Sequence, residues 1–153
     1  MNLNSPNFKP FIKPSVNLFF VFVALTFSFS TFVIADIILD RKLGFRSNKL
    51  ALRAITSSVR QKDFDQIIEK SNIILHWSKL IERHFPEGSH IGDTQASLKI
   101  WTNPESFKQL IFENFEATNS LILAAESKDI SKVKQQLRIL GGTCQACHFQ
   151  FKK

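Results

Sequence analysis

Near the C-terminus, Ile130, Val133, Leu137, Leu140, Cys144, Cys147 and Phe151 recur at alternating steps of three and four. That spacing marks one apolar seam along a helix whose inner face is buried against a neighbouring helix. Helices with such seams bury them in bundles, so the pattern restricts the chain to a helical architecture. It also sets two thiols on the inward-facing stripe, where a cysteine can serve the core or something held within it.

The two cysteines, the chain's only ones, are followed by a histidine in Cys144-Gln145-Ala146-Cys147-His148. A C-x-x-C-H run of this kind reads as a c-type haem attachment site. Thiols three residues apart lie on one side of a helical turn, where both can form thioethers to one haem edge. The adjacent His148 imidazole then reaches the iron, and whatever faces the opposite axial position decides between gas binding and electron transfer. Two other uses of the thiols fit less well. A dithiol redox pair expects a strand pattern and a helix N-terminus, and no strand pattern precedes this pair. A zinc site expects four ligands at short paired spacings, whereas His76, His84 and His90 lie far away in sequence.

The other end of the chain supports an oxidising compartment. Residues 1–35 contain no acid, begin with Lys9 and Lys13 among Pro6, Pro10 and Pro14, and continue as an apolar run from Val16 to Ala35. This segment reads as an export signal cleaved between Ala35 and Asp36; the alternative is an uncleaved membrane anchor, since the run approaches the length of a spanning helix. Either way residues 36–153 are expected outside the cytoplasm, in the periplasm, where thioether attachment takes place. The chain carries 20 Lys and Arg against 13 Asp and Glu. Two of the lysines and none of the acids lie in the leader, so a mild basic excess remains. It suits an acidic redox partner or anionic headgroups. Scattered charge with no basic run argues against nucleic acid.

Apolar spacing predicts four helices in residues 36–153 and hence an all-α, antiparallel four-helix bundle. The first runs from about Asp36 to Arg60, with an expected stripe of Leu39, Leu43, Leu50, Ala54 and Val59 and with Arg46 on the same face. The second begins beside Asp63 and runs to Phe85, before Pro86. A long connection to Asn103 follows. The third starts at Asn103 and Pro104 and buries Phe107, Ile111, Phe115, Thr118, Ile122 and Ala125. The fourth begins at Asp129. A haem on Cys144 and Cys147 would replace side-chain volume near one end of this core.

With this layout the chain resembles the class II c-type cytochromes, the cytochromes c-prime, which are four-helix bundles with the haem motif near the C-terminus. The resemblance covers residues 36–153. It rests on Cys144, Cys147 and His148 followed by Phe151 and Lys152, on Ile100-Trp101 leading to Ser106-Phe107-Lys108-Gln109, and on Phe45-Arg46, where the family has Tyr-Arg. It implies one haem c, with Arg46 near a propionate and Leu50, one turn later, over the open face of the iron. Trp101 would seal the haem edge, Phe151 would pack without the hydroxyl of the usual Tyr, and Lys152 would act on the electrostatics of His148.

Leucine at position 50 implies a five-coordinate, high-spin iron with an apolar distal side that admits nitric oxide or carbon monoxide. The only methionine is Met1, so a cleaved chain has no thioether ligand. On this reading Leu50→Met creates a six-coordinate haem. The alternative is a low-spin electron carrier with His or Lys as sixth ligand. No polar distal acid-base group is visible, which argues against an enzyme. The family resemblance also implies a homodimer through helices one and two.

Overall fold

The computed structural model describes the backbone of residues 16–153 and the side chains of residues 36–153. The expected leader, residues 1–35, therefore falls outside the residues described with their side chains. Residues 34–153 form one compact unit. The elements are α1 (Val16–Gln61), α2 (Phe64–Ser78), a 3-10 turn (Ile81–His84), α3 (Lys99–Thr102), α4 (Pro104–Glu126) and α5 (Ile130–Phe151). The long helices α1, α2, α4 and α5 form the four-helix bundle. Among the described residues no helix is long and apolar enough to cross a membrane.

The two tight links have the same chemistry. Lys62 and Lys128 adopt positive φ, 57° and 54°, which turns the chain out of α1 and α4. Aspartates then start the next helices. Asp63 accepts a hydrogen bond from the Gln66 amide at 3.0 Å, and Asp129 accepts from the Ser131 and Lys132 amides at 2.9 and 3.1 Å. Each satisfies otherwise unpaired amides of a first helical turn. Pro104 occupies the first turn of α4 after Asn103, whose side chain makes no capping bond.

Two packed clusters divide the interior. One holds Ile55, Ile67, Leu121, Val133 and Leu140, all at 0% exposure, from four helices. The other gathers Trp77, Ile81, Ile100, Phe107 and Phe151, with Cys147 packed against it. Phe107 meets Phe151 and Phe85 edge-on at 5.2 and 5.0 Å. Behind the second cluster the connection is tied to the C-terminus: the Ser97 amide donates to Phe151 O and the Lys153 amide to Gln95 O, both at 2.9 Å.

Three expectations need correction. Helix two ends at Ser78, not Phe85, and its last expected turn is a 3-10 turn ahead of Pro86, which disfavours helical geometry in the residue before it. In α4, Phe115 and Ile122 are only partly buried, while Ala117, Leu121 and Ala124 join Phe107, Thr118 and Ala125 inside. The larger correction concerns α1. Leu39, Leu43 and Leu50 are 55, 52 and 55% exposed, and the buried face carries Ile38, Arg41, Ala51, Ile55 and Val59.

Gly44 fixes that rotation. A Cβ at Gly44 would run into the six-membered ring of Trp77, the clash falling on Cζ2, Cη2 and Cζ3. Only glycine lets this turn of α1 lie against the indole. Gly44→Ala is therefore expected to destabilise the bundle by about 1–3 kcal/mol, as overpacking a filled core does. Thermal or denaturant unfolding checks this; an unchanged midpoint would place Trp77 elsewhere.

Candidate haem site

A cavity of about 850 Å³ opens between α1, α4 and α5, a size within the usual range for cofactor pockets. Cys144, Cys147 and His148 line it from α5, Leu110, Ile111 and Asn114 from α4, and Arg41, Phe45, Asn48 and Leu52 from α1. The α5 seam placed both cysteines on this face, and the C-x-x-C-H spacing brought His148 with them. Cys144 and Cys147 are free thiols, and Asn114 Nδ2 reaches Thr143 Oγ1 at 2.9 Å and Cys144 Sγ at 3.8 Å.

Local chemistry tells the uses of these side chains apart. Burial pushes the Cys144 thiol up, and burial together with the neighbouring Cys144 pushes Cys147 up to about 11. Redox-active pairs show the opposite, a lowered thiol pKa. Burial, and then the Lys152 cation, push His148 below its ordinary value, which keeps the imidazole neutral with a lone pair free to bind a metal. Lys152 thus stands where it can act on His148.

Arg41 is a residue the sequence reading missed. It is 4% exposed, and its guanidinium donates to Ser89 O and Thr94 Oγ1 at 2.9 Å, to Ser89 Oγ at 3.3 Å and to His84 O at 3.4 Å. It also lies over the Phe85 ring at 4.3 Å. All of these partners are neutral, and burial lowers its pKa. Among the described residues no carboxylate pairs with it, and the four hydrogen bonds to neutral oxygens are what hold this cation in place. The signal in the sequence was Asp40-Arg41-Lys42, a basic pair five residues ahead of Arg46.

The remaining expected residues separate. Arg46 is exposed and lines the cavity, as do Phe151 and Lys152. Leu50 is not among the lining residues. Five residues turn a helix by about 500°, so Leu50 points about 140° away from Phe45. Phe45 occupies the inner face instead, with its ring edge-on to Trp77 at 5.5 Å and to Phe85 at 6.4 Å. Trp101 stands behind the cavity wall, donating Nε1–H to Phe85 O and Pro86 O at 3.1 Å. His76, His84 and His90 do not line the cavity. His84 is held by Leu80 O at 2.9 Å, and His90 packs beside Trp101 at 5.3 Å.

A helical bundle with an inward-facing thiol pair, an adjacent neutral imidazole and a cavity of cofactor size defines a c-type haem protein. Comparison with known proteins narrows the class. The family model for cytochrome C′ matches residues 36–152. Cytochrome c′ of Rhodospirillum rubrum is 35% identical over 89 residues, 58% of this chain and 60% of that protein. Cytochrome c-554 of Cereibacter sphaeroides is 33% identical over 86 residues, 54% of this chain and 64% of that protein. These alignments span under two thirds of either relative. Among solved structures, cytochrome c prime from Shewanella frigidimarina superimposes with a TM-score of 0.73 at 27% identity, over 78% of this chain and 96% of that one. The chain belongs to the cytochrome c′ family, and its cofactor is one covalently attached c-type haem.

Proposed function

We propose that this is an exported, periplasmic monohaem cytochrome whose iron is five-coordinate and high-spin, binds small neutral gases such as nitric oxide or carbon monoxide, and cycles single electrons. The observation that carries the reading is the cavity lining: among the described residues it contains one imidazole, that of His148, and no thioether. Haem supplies the ligand-binding and redox-active iron. The chain's own residues attach, orient and screen it. Cys144 and Cys147 would attach the haem through thioethers, and His148 would bind its iron. Phe151 lines the cavity from α5, Trp101 holds the wall behind it, and Lys152 adds its charge to the burial that lowers the His148 pKa.

Arg46 lines the cavity, as a propionate partner would, and Arg41, buried with neutral partners on the same helix, adds a second cation there. Phe45, on the cavity face, takes the distal role expected of Leu50, which does not line it. An aromatic ring there offers no lone pair to iron. Among the described residues one carboxylate lines the cavity, that of Asp93, which is exposed and paired with Lys42. A nitric oxide complex is known for a variant of cytochrome c prime from Alcaligenes xylosoxidans.

Titrating the reduced protein with nitric oxide should change the visible spectrum until one equivalent per haem is bound. A spectrum that resists excess gas would mean that a lysine such as Lys49, which also lines the cavity, closes the iron. The reading then passes to a six-coordinate carrier serving a redox partner protein.

Leu39, Leu43 and Leu50 are exposed large apolar side chains on one side of α1, with Arg46 between the last two, and this supports a homodimer through that helix. A solved cytochrome c′ is described as showing ligand-controlled dimer dissociation. Leu43→Glu with Leu50→Glu should shift the sedimentation coefficient from dimer to monomer while the haem spectrum stays unchanged. A wild-type protein that sediments as a monomer at high concentration would remove the dimer.

A further inference from the structure

Positions two residues beyond the α5 seam lie about 200° further round the helix, on its opposite face. There Ile139, Gly142, Ala146 and Phe149 recur at steps of three, four and three, and all four are exposed. Phe149 is 94% exposed and Ile139 46%. Because Cys144 and Cys147 belong to the inner face, a haem attached to them cannot cover this outer line. Packing within the chain does not ask for it either. A Cβ on Gly142 would meet nothing within 4 Å, although glycine inside a helix is less stable than alanine. What the glycine leaves is bare backbone beside a protruding ring, a surface that a second molecule can approach closely.

The charge around this line is of one sign. Residues 130–153 hold Lys132, Lys134, Arg138, Lys152 and Lys153 and no acid. Among the described residues only Lys132 of these forms an ion pair, with Asp129 at 3.7 Å. An isologous contact between two copies would set these cations against one another. A helix that lies in a membrane surface presents a broad apolar face, whereas here one large ring stands among small neighbours. Cations around an apolar centre match a protein surface that carries carboxylates around an apolar hollow.

We propose that the outer face of α5, centred on Phe149, is the docking surface for an acidic electron-transfer protein. The proposal rests on the reading that the iron cycles single electrons. Phe149 directly follows His148 in the chain, so a partner seated on the ring lies one residue from the axial ligand. The reduced partner is oxidised by one electron as the ferric iron becomes ferrous, and no bond forms or breaks.

The test uses the haem-loaded full chain and, as probe, reduced flavodoxin, an acidic single-electron donor. Stopped-flow absorbance gives the rate of haem reduction. The wild-type rate should fall about tenfold as salt rises from about 10 to about 200 mM, because opposite charges steer the encounter. At low salt Lys134→Glu with Arg138→Glu should slow reduction about tenfold and Phe149→Ser about fivefold. Arg60→Glu, a reversal at the end of α1, should change it by about twofold or less, and a small neutral hydroquinone should reduce every variant alike. Carbodiimide coupling, which joins carboxylates to amines, should link flavodoxin to Lys132, Lys134 or Lys153. Wild-type rates in the α5 variants, a rate indifferent to salt, or coupling at Lys42 and Lys49, which line the cavity, would overturn the docking surface. So would phosphatidylglycerol vesicles that bind the wild type and not Phe149→Ser while the flavodoxin rates stay equal, which would make this face a membrane contact. A wild-type haem that the hydroquinone itself fails to reduce would overturn the single-electron reading and this proposal with it.

Discussion

Replacing both Cys144 and Cys147 by alanine should abolish retention of haem by the denatured polypeptide. In the wild-type chain the thioethers survive unfolding, so haem should migrate with the protein through denaturing electrophoresis and acidic solvent. With both sulfurs gone, His148 and burial alone hold the cofactor, and neither persists once the helices separate. The expected change is from full retention to none. Retention by the double variant would refute thioether attachment.

The same variant should lose stability, because the cavity cannot persist empty. Without haem the apolar lining of a cavity of about 850 Å³ faces water, and the burial that haem provides is lost. The end of the bundle that holds Phe45, Ile111 and Cys147 is therefore expected to collapse or loosen without haem. The opposite end, packed around Ile55, Ile67, Leu121 and Val133, should keep its helices. Far-ultraviolet circular dichroism of the haem-free variant should show helix retained with a broadened, lower melting transition.

Phe45→Met should convert the haem to a six-coordinate, low-spin species, while Leu50→Met should leave the spectrum as it is. Phe45 lines the cavity and Leu50 does not. Methionine at 45 keeps most of the phenyl volume, so the swap should cost no more than about 1.5 kcal/mol, and its flexible thioether supplies the lone pair that phenylalanine lacks. The outcome is read from sharpened visible bands and loss of carbon monoxide binding. A low-spin spectrum for Leu50→Met together with an unchanged one for Phe45→Met would restore the register read from the sequence.

That register shows where sequence reasoning stopped. The α5 seam was legible because its apolar positions form one stripe that includes both cysteines, and His148 was legible from the C-x-x-C-H spacing. The links were legible in Asp63 and Asp129, whose side chains cap α2 and α5. In α1 two apolar stripes compete: Leu39, Leu43 and Leu50 on one side, Ile38, Phe45, Leu52 and Ile55 on another. Periodicity reports both and cannot say which faces inward. The choice is made by tertiary contacts: Trp77 closing over Gly44, and Arg41 reaching Ser89 and Thr94, 48 and 53 residues away.

The most direct test of the central claim is the visible spectrum of the dithionite-reduced protein before and after carbon monoxide is added. An iron held on the protein side by His148 alone should give a broad, high-spin spectrum that shifts when the gas binds. A sharp, low-spin spectrum indifferent to carbon monoxide would contradict it, and would mean that a side chain of this chain already occupies the sixth position.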